Sequence, residues 1–301
     1  MPYGFPSGAK LTQSICRLYR DAEEDGFMTD LITRTGLANR RDIAELATAL
    51  QRSSQISVDT FLAKRPKLSE LGKLCIAAEL CMKENYDNLY SAPDSDDWHK
   101  LLWNMMQDGV HRAEDIKTNA VRFVTFNYER SLETFLYEAA RNSFDVAPEV
   151  AAQIVRSLSI IHPYGMLGDF ETRSYSETDN FAKIDPKTIA TAAKGLKVIP
   201  DTREDEQDFL LIRNWAGEWA EQICFLGFGF DPLNMQRLGL HDVFEHLARH
   251  SRPTPSVTAS VLGKTPMERA HILNTYFSRA REQNFIDANN VNTLRQSTIF
   301  N

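Results

Sequence analysis

The chain has 301 residues, 43% of them hydrophobic, enough to bury a sizeable core. Its 34 Lys and Arg face 41 Asp and Glu, for a net charge of −7, and no basic run is long enough to track a nucleic-acid backbone, so direct nucleic-acid binding is not expected. No stretch approaches the roughly 20 uninterrupted apolar residues that span a bilayer; the opening residues lack the layout of a signal peptide, and the reading is a cytoplasmic protein without membrane attachment.

In chain order, "MPYGFPSGAKL" comes first. Gly4-Phe5-Pro6-Ser7-Gly8 reads as a glycine-punctuated loop running straight into an amphipathic helix, an entrance whose backbone N–H groups can cradle a phosphate. Residues 9 to about 120 read as helical. "LSELGKLCIAAELCMK" sets Leu68, Leu71, Cys75, Ala78 and Met82 on one helical face, and stretches 40–52 and 97–107 read similarly, with Pro66 and "SAPDSDD" as punctuation. Cys16, Cys75, Cys81 and Cys224 lie in apolar surroundings and read as buried reduced thiols.

The pattern then changes to short apolar or β-branched runs: "VRFVTF" (121–126), "LSIIH" (158–162), "LKVI" (196–199), "ICFLGFGF" (223–230) and "SVTASVL" (256–262). Helical stretches separate them, one with Leu132, Phe135, Leu136 and Ala139 on a face, another with Phe209, Ile212, Ala216 and Trp219. Such alternation is the pattern of a parallel sheet covered on both faces. The expectation is one α/β domain over residues 1–301, doubly wound, with a helical insertion at 36–118. "HDVFEHLARH" reads as a solvated helix face, because Leu247 stands where a zinc-protease helix carries Glu. The acidic "REDEQD" (203–208) reads as a charged first helical turn, and Trp98, Trp103, Trp215 and Trp219 as core or interface anchors.

Ligands of doubly wound sheets bind at the carboxyl ends of the strands. Those ends carry Thr125-Phe126-Asn127-Tyr128-Glu129, His162-Pro163-Tyr164-Gly165 and Gly227-Phe228-Gly229-Phe230-Asp231. Polar and glycine residues at these points suit a nucleotide or dinucleotide without naming a reaction. Singly, each has a plainer reading: Asn127 as a turn former or helix cap, His162 as a structural histidine, Gly227 and Gly229 as a tight turn.

Taken in order, "GFPSG", "TFNYERSLE", "IIHPYGMLG" and "FLGFGFDPLN" resemble the successive motifs of the sirtuin-like NAD-binding domain, with most likeness to the divergent bacterial branch whose members hydrolyse NAD in defence against phage. "SVDTFLAKRP" (57–66) is similar to that branch as well. The resemblance implies a Rossmann-like sheet lacking its first strand and the Gly-Ala-Gly-type loop after it, with Gly4, Phe5 and Pro6 corresponding to the segment immediately downstream of that loop. It implies NAD as substrate, with Asn127 beside the nicotinamide ribose in a motif that includes Thr125 and Glu129, and His162 as general base. Gly227, Phe228 and Gly229 correspond to a segment that contacts a ribose and phosphates, and Asn234 is a weaker candidate for the nucleotide's hydroxyls. A homo-oligomer working with a separately encoded ATPase or another defence effector is a further implication.

Besides the missing first strand and its loop, the chain departs from the family pattern in three places. It has no Cys-x-x-Cys, and only Cys224 follows His162, so the Cys₄ zinc ribbon of the deacylating sirtuins is excluded and no metal is expected. Phe126 stands where deacylases carry glutamine. Two residues separate His162 from Gly165, and alignment on the glycine would put Tyr164 in the base position. The expected activity is hydrolysis of NAD to nicotinamide and ADP-ribose, depleting NAD during phage infection. A non-catalytic sensor or assembly subunit binding NAD or ADP-ribose, or an ADP-ribosyltransferase, are the alternatives.

Overall fold

The computed structural model describes residues 2–23, 26–170, 184–198, 206–297 and 299–300. Among the described residues, seven α-helices precede the first strand: α1 (Gly8–Glu23), α2 (Phe27–Thr33), α3 (Arg40–Ser53), α4 (Val58–Lys64), α5 (Ser69–Cys81), α6 (Tyr86–Tyr90) and α7 (Trp98–Met106). Then come β1 (Arg122–Val124), α8 (Ser131–Phe144), α9 (Pro148–Ser157), β2 (Ser159–Ile161), α10 (Pro186–Gly195), α11 (Gln207–Glu218) and β3 (Gln222–Phe225). The chain continues through α12 (Pro232–Leu238), α13 (Leu240–Arg249), β4 (Ser256–Ser260), α14 (Pro266–Tyr276), β5 (Gln283–Ile286) and α15 (Asn290–Gln296). Helix starts follow the local sequence. Asn39 with Asp42 and Thr265 with Glu268 form capping boxes on α3 and α14, while Ser57, Asn85, Asp97 and Asn289 each accept a backbone N–H of the first turn they precede.

The result is a mixed α/β fold with small parallel sheets. β1 pairs with β2, placing Val124 opposite Ile161. The second sheet has the order β3-β4-β5, with Phe225 opposite Ala259 and Ser260 opposite Ile286. Each parallel pair is joined through helices, as the geometry of parallel pairing requires. Strands occur within four of the five expected runs, or overlap them, but are shorter. The fifth expectation, "LKVI", is not met over its described residues. Leu196 makes one isolated antiparallel bridge to Gly165 and Lys197 donates its N–H to the Tyr164 carbonyl at 2.8 Å, so this backbone is used by the loop after β2; Ile199 lies outside the described residues. A strand the apolar pattern did not indicate, β5, closes one edge of the second sheet, with Gln283 and Asn284 exposed.

The chain groups into two compact units. The first takes Met1–Ala92, Thr125–Glu138 and His162–Thr202. Its centre is α5, which packs against α1, α2, α3, α4 and α10 and is buried on nearly every side rather than on one face; Leu71 is only half-buried. A Cβ on Gly72 would lie 2.5 Å from Leu62 Cδ1, so glycine there lets the Leu62 side chain of α4 lie close against α5, and a larger residue would make that side chain shift.

The second unit takes Pro93–Val124, Ala139–Ile161 and Arg203–Asn301 and holds both sheets. Phe225, Phe228, Phe230, Phe277 and Phe285 form an aromatic cluster on its three-stranded sheet, with neighbouring ring centroids 5.2 to 6.4 Å apart. Trp103 is buried, and its Nε1 donates to Ser143 Oγ at 3.1 Å. Trp219, expected on the buried face of α11, lies just past its end, 41% exposed. Together with Trp215 it covers the Arg122 guanidinium, the ring centroids 3.9 and 4.9 Å away.

The expected insertion 36–118 is helical and is divided between the units at Ala92 and Pro93. None of the four cysteines is in a disulfide among the described residues; Cys75 and Cys81 are buried, whereas Cys16 and Cys224 are half-buried. Burial pushes the thiols of Cys75 and Cys224 up to about 12. No helix among the described residues is long and apolar enough to cross a membrane.

Candidate functional site

The chain leaving β1 turns at once. Thr125 Oγ1 accepts the Asn127 N–H at 3.2 Å, a local hydroxyl-to-backbone turn that leaves Asn127 exposed. Asn127 Nδ2 donates to Glu129 Oε1 at 3.0 Å, and Glu129 Oε2 accepts the Ser131 N–H, the first of α8, at 2.6 Å. A carboxylate at that position satisfies a free helical donor and is favoured by the helix dipole. Burial raises the pKa of Glu129; the hydrogen bonds from Ser131 pull it back, the nearby Glu133 adds to the rise and His162 opposes it.

Half a turn further, Glu133 meets the histidine that follows β2. His162 Nε2 lies 2.5 Å from Glu133 Oε1, with the two side chains 5% and 6% exposed, and His162 Nδ1 lies 3.0 Å from the Asn127 carbonyl oxygen. A carbonyl can only accept, so Nδ1 carries a hydrogen. The proton at the other nitrogen is shared with a carboxylate. Burial alone would lower the His162 pKa, but the hydrogen bond and charge of Glu133, with the Asn127 carbonyl and Glu129, outweigh it and hold the pKa above the ordinary imidazole value. Among the described residues, Glu133 Oε2 is buried with no hydrogen-bond partner, and so is Thr134 Oγ1.

A shell of buried contacts holds this arrangement. Arg130 forks onto Glu84 and also donates to the Asp169 carbonyl. Tyr128 Oη donates to Asp59 Oδ1 at 2.6 Å, which ties "TFNYERSLE" to "SVDTFLAKRP". His162-Pro163-Tyr164-Gly165 forms a turn closed by the Gly165 N–H on the His162 carbonyl at 2.9 Å, with proline second and Gly165 at φ +70°. The two residues separating His162 from glycine are therefore the middle of a turn. Tyr164 is buried with its ring edge-on to Phe126 at 5.5 Å, so of the two residues weighed for the base position His162 is the one the fold joins to Asn127.

Thr125, Asn127, Glu129 and His162 thus fall into one network. Gly4, Phe5 and Pro6 belong to the same unit but stand outside it. Gly4 has φ +72°, and a Cβ there would lie 2.5 Å from Asn88 Cγ, so the close approach it permits is to the chain's own Asn88; Phe5 is a core residue and Pro6 is half-buried.

Gly227, Phe228, Gly229 and Asn234 lie in the second unit. Gly227 adopts φ +61° on the surface, Gly229 is exposed with open space around its Cα, and Phe228 belongs to the aromatic cluster. The first turn of α12 is already capped: Asp231 Oδ1 accepts the N–H groups of Leu233 and Asn234 at 3.0 and 3.2 Å, placing a carboxylate where an anion would otherwise sit. No group of three or more His, Cys, Asp or Glu among the described residues is placed to hold a metal ion. The His246 and His250 rings are exposed and lie tilted to each other with centroids 4.3 Å apart at the C-terminal end of α13. Of "REDEQD", residues 203–205 lie outside the described residues, and Asp208 stands in the first turn of α11.

Sequence reading missed Glu133, Glu84, Arg130 and Asp59. Only Glu133 left a signal, lying four residues after Glu129 and therefore one turn along the same helical side. Compared with protein-family models, curated proteins and solved structures, the chain shows no match.

Proposed function

We propose that the chain cleaves NAD at the bond between nicotinamide and ribose, with water as acceptor, in the manner its motifs share with sirtuin-like NAD hydrolases. The observation that carries this reading is the single network of Thr125, Asn127, Glu129, Glu133 and His162 around the start of α8. Nicotinamide leaves as a neutral molecule from a cationic ribosyl nitrogen, so the departing group needs no proton. The work left to the protein is to orient the ribose, place a water on the opposite face and accept the proton that the water loses. Asn127 carries an exposed amide that both donates and accepts, suited to holding that water. His162 supplies a titratable ring behind it, an effect typically worth about 10²–10⁴ in rate.

The doubly wound arrangement belongs to the same proposal. A sheet of order 3-2-1-4-5-6 without its first strand would leave one pair and one triplet of parallel strands, and β2-β1 and β3-β4-β5 have those orders. Incubating the purified protein with NAD is expected to release nicotinamide and ADP-ribose, and Asn127→Ala to reduce release by at least about 10²-fold. Equal release by the variant overturns the assignment.

One observation favours a second reading, a non-catalytic binder of NAD or ADP-ribose. Both ring nitrogens of His162 are committed to protein acceptors, leaving no free base in this arrangement. Saturable NAD binding without nicotinamide release at any pH would select it.

A further inference from the structure

We infer that Glu133 is the positioning residue of this site, fixing both the orientation of the His162 ring and the proton it carries at rest. The inference rests on the reading of the same network, but its central test does not depend on NAD. Four facts carry it. Glu133 and His162 meet at 2.5 Å with their side chains almost wholly buried, where a charge contact is strong and little screened. The opposite ring nitrogen is already donating to the Asn127 carbonyl, so the ring cannot turn to another tautomer without losing one of its two bonds. The groups facing the ring, Glu133 from α8, Glu129 from the preceding loop and the Asn127 carbonyl, are acceptors or anions, and all favour the protonated ring. Finally, Glu133 Oε2 is buried and lacks a partner among the described residues, so one carboxylate oxygen remains able to receive a hydrogen bond from a water or a ligand hydroxyl.

Consequently the site rests in its acid form. His162 can act as a base only after the Nε2–H proton has left for solvent and the lone pair remains on Nε2, still turned toward Glu133. Removing the negative charge from Glu133 while keeping its shape should make that loss easier. A Glu133 that only fills space, with no effective charge contact on the ring, would change stability and leave the titration of His162 where it was.

The test is a titration of the imidazole ¹⁵N and ring-proton signals of the full chain by NMR, with the His162 signals assigned by their loss in His162→Gln. In the unsubstituted protein His162 is expected to titrate above the ordinary imidazole value of about 6.5. In Glu133→Gln its midpoint should fall by about one unit or more, the scale of one nearby opposite charge, and Glu133→Asp should restore part of the rise. The acid limb of NAD cleavage should move in the same direction. A midpoint in the unsubstituted protein at or below the ordinary value overturns the inference even if no variant folds, and so does a folded Glu133→Gln whose His162 titrates unchanged. The expected titration without NAD cleavage at any pH overturns the substrate reading and supports the pairing.

Discussion

Arg130 grips Glu84 through two parallel bonds, Nε to Oε1 at 2.9 Å and Nη2 to Oε2 at 3.2 Å, and each side chain is 1% exposed. Arg130 stands between Glu129 and Ser131, the two residues whose bond starts α8, so this buried fork fixes the backbone of the site from behind. Breaking a buried pair by removing one partner leaves an uncompensated charge and costs about 3–5 kcal/mol. Arg130→Lys keeps the charge but cannot make the fork. Denaturant unfolding is expected to show Glu84→Gln losing about 3 kcal/mol or more, and Arg130→Lys losing measurably as well. A loss below about 1 kcal/mol in both would remove the fork from the account.

The His162 pair gives stability its own pH dependence. The ring's pKa is raised in the fold, so the contribution is fully present below the unfolded value of about 6.5 and fades as pH rises through the folded value. His162→Ala, which also strands a buried carboxylate, should therefore cost about 3–5 kcal/mol at about pH 6. The gap between the two proteins should narrow as the medium becomes alkaline. Thermal melts of both from about pH 6 to about 10 measure it, and a gap that widens with pH contradicts the pairing.

Glu129 carries the opposite message about neutral pH. Burial raises its pKa, so folding favours its protonated form, and that contribution is present below the unfolded value of about 4.3 and lost as pH rises through the folded one. Wherever it is ionised, its charge is thus held at a cost to stability, as functional groups commonly are. Glu129→Gln has one acceptor oxygen where Glu129 uses two, so it keeps the Ser131 bond and loses the one from Asn127; its stability relative to the unsubstituted protein should nonetheless be better at about pH 7 than near about pH 4, by about 1 kcal/mol or less. Urea midpoints at the two pH values decide the point.

The sequence made these residues visible to different degrees, for physical reasons. Helices over 40–52 and 97–107 were legible because each buries a stripe and begins with a capping side chain, giving Arg40–Ser53 and Trp98–Met106. The all-round burial of α5 was not, because it is set by five neighbouring helices and not by its own period. β5 was hidden because an edge strand needs only one partner, so Gln283 and Asn284 can face water. "LKVI" misled for the converse reason: an apolar β-branched run fits a buried loop bridge as well as a sheet. Within the site, Thr125, Asn127, Glu129 and His162 stood at strand ends. Asp59 and Glu84 gave no sign because their partners lie 69 and 46 positions away along the chain.

Gly165 offers the sharpest local test of how the site is held. It has φ +70°, and a Cβ there would fall on the Gly195 carbonyl oxygen, backbone that cannot swing aside as a side chain could. Gly195 is meanwhile held by its own bond from the Met166 N–H at 3.2 Å, and the neighbouring Lys197 N–H donates to the Tyr164 carbonyl at 2.8 Å. Gly165→Ala must therefore push the backbone at Gly165 and Gly195 apart or straighten the turn that begins at His162. Either movement withdraws the ring from Glu133 and from the Asn127 carbonyl. The expected result is a loss of about 2–4 kcal/mol in folding stability, in the range of combined strain and lost backbone bonds. The His162 titration should shift toward acid together with that loss, although neither His162 nor Glu133 has been changed. An alanine variant of ordinary stability, with His162 titrating as before, would show that the turn does not position the ring.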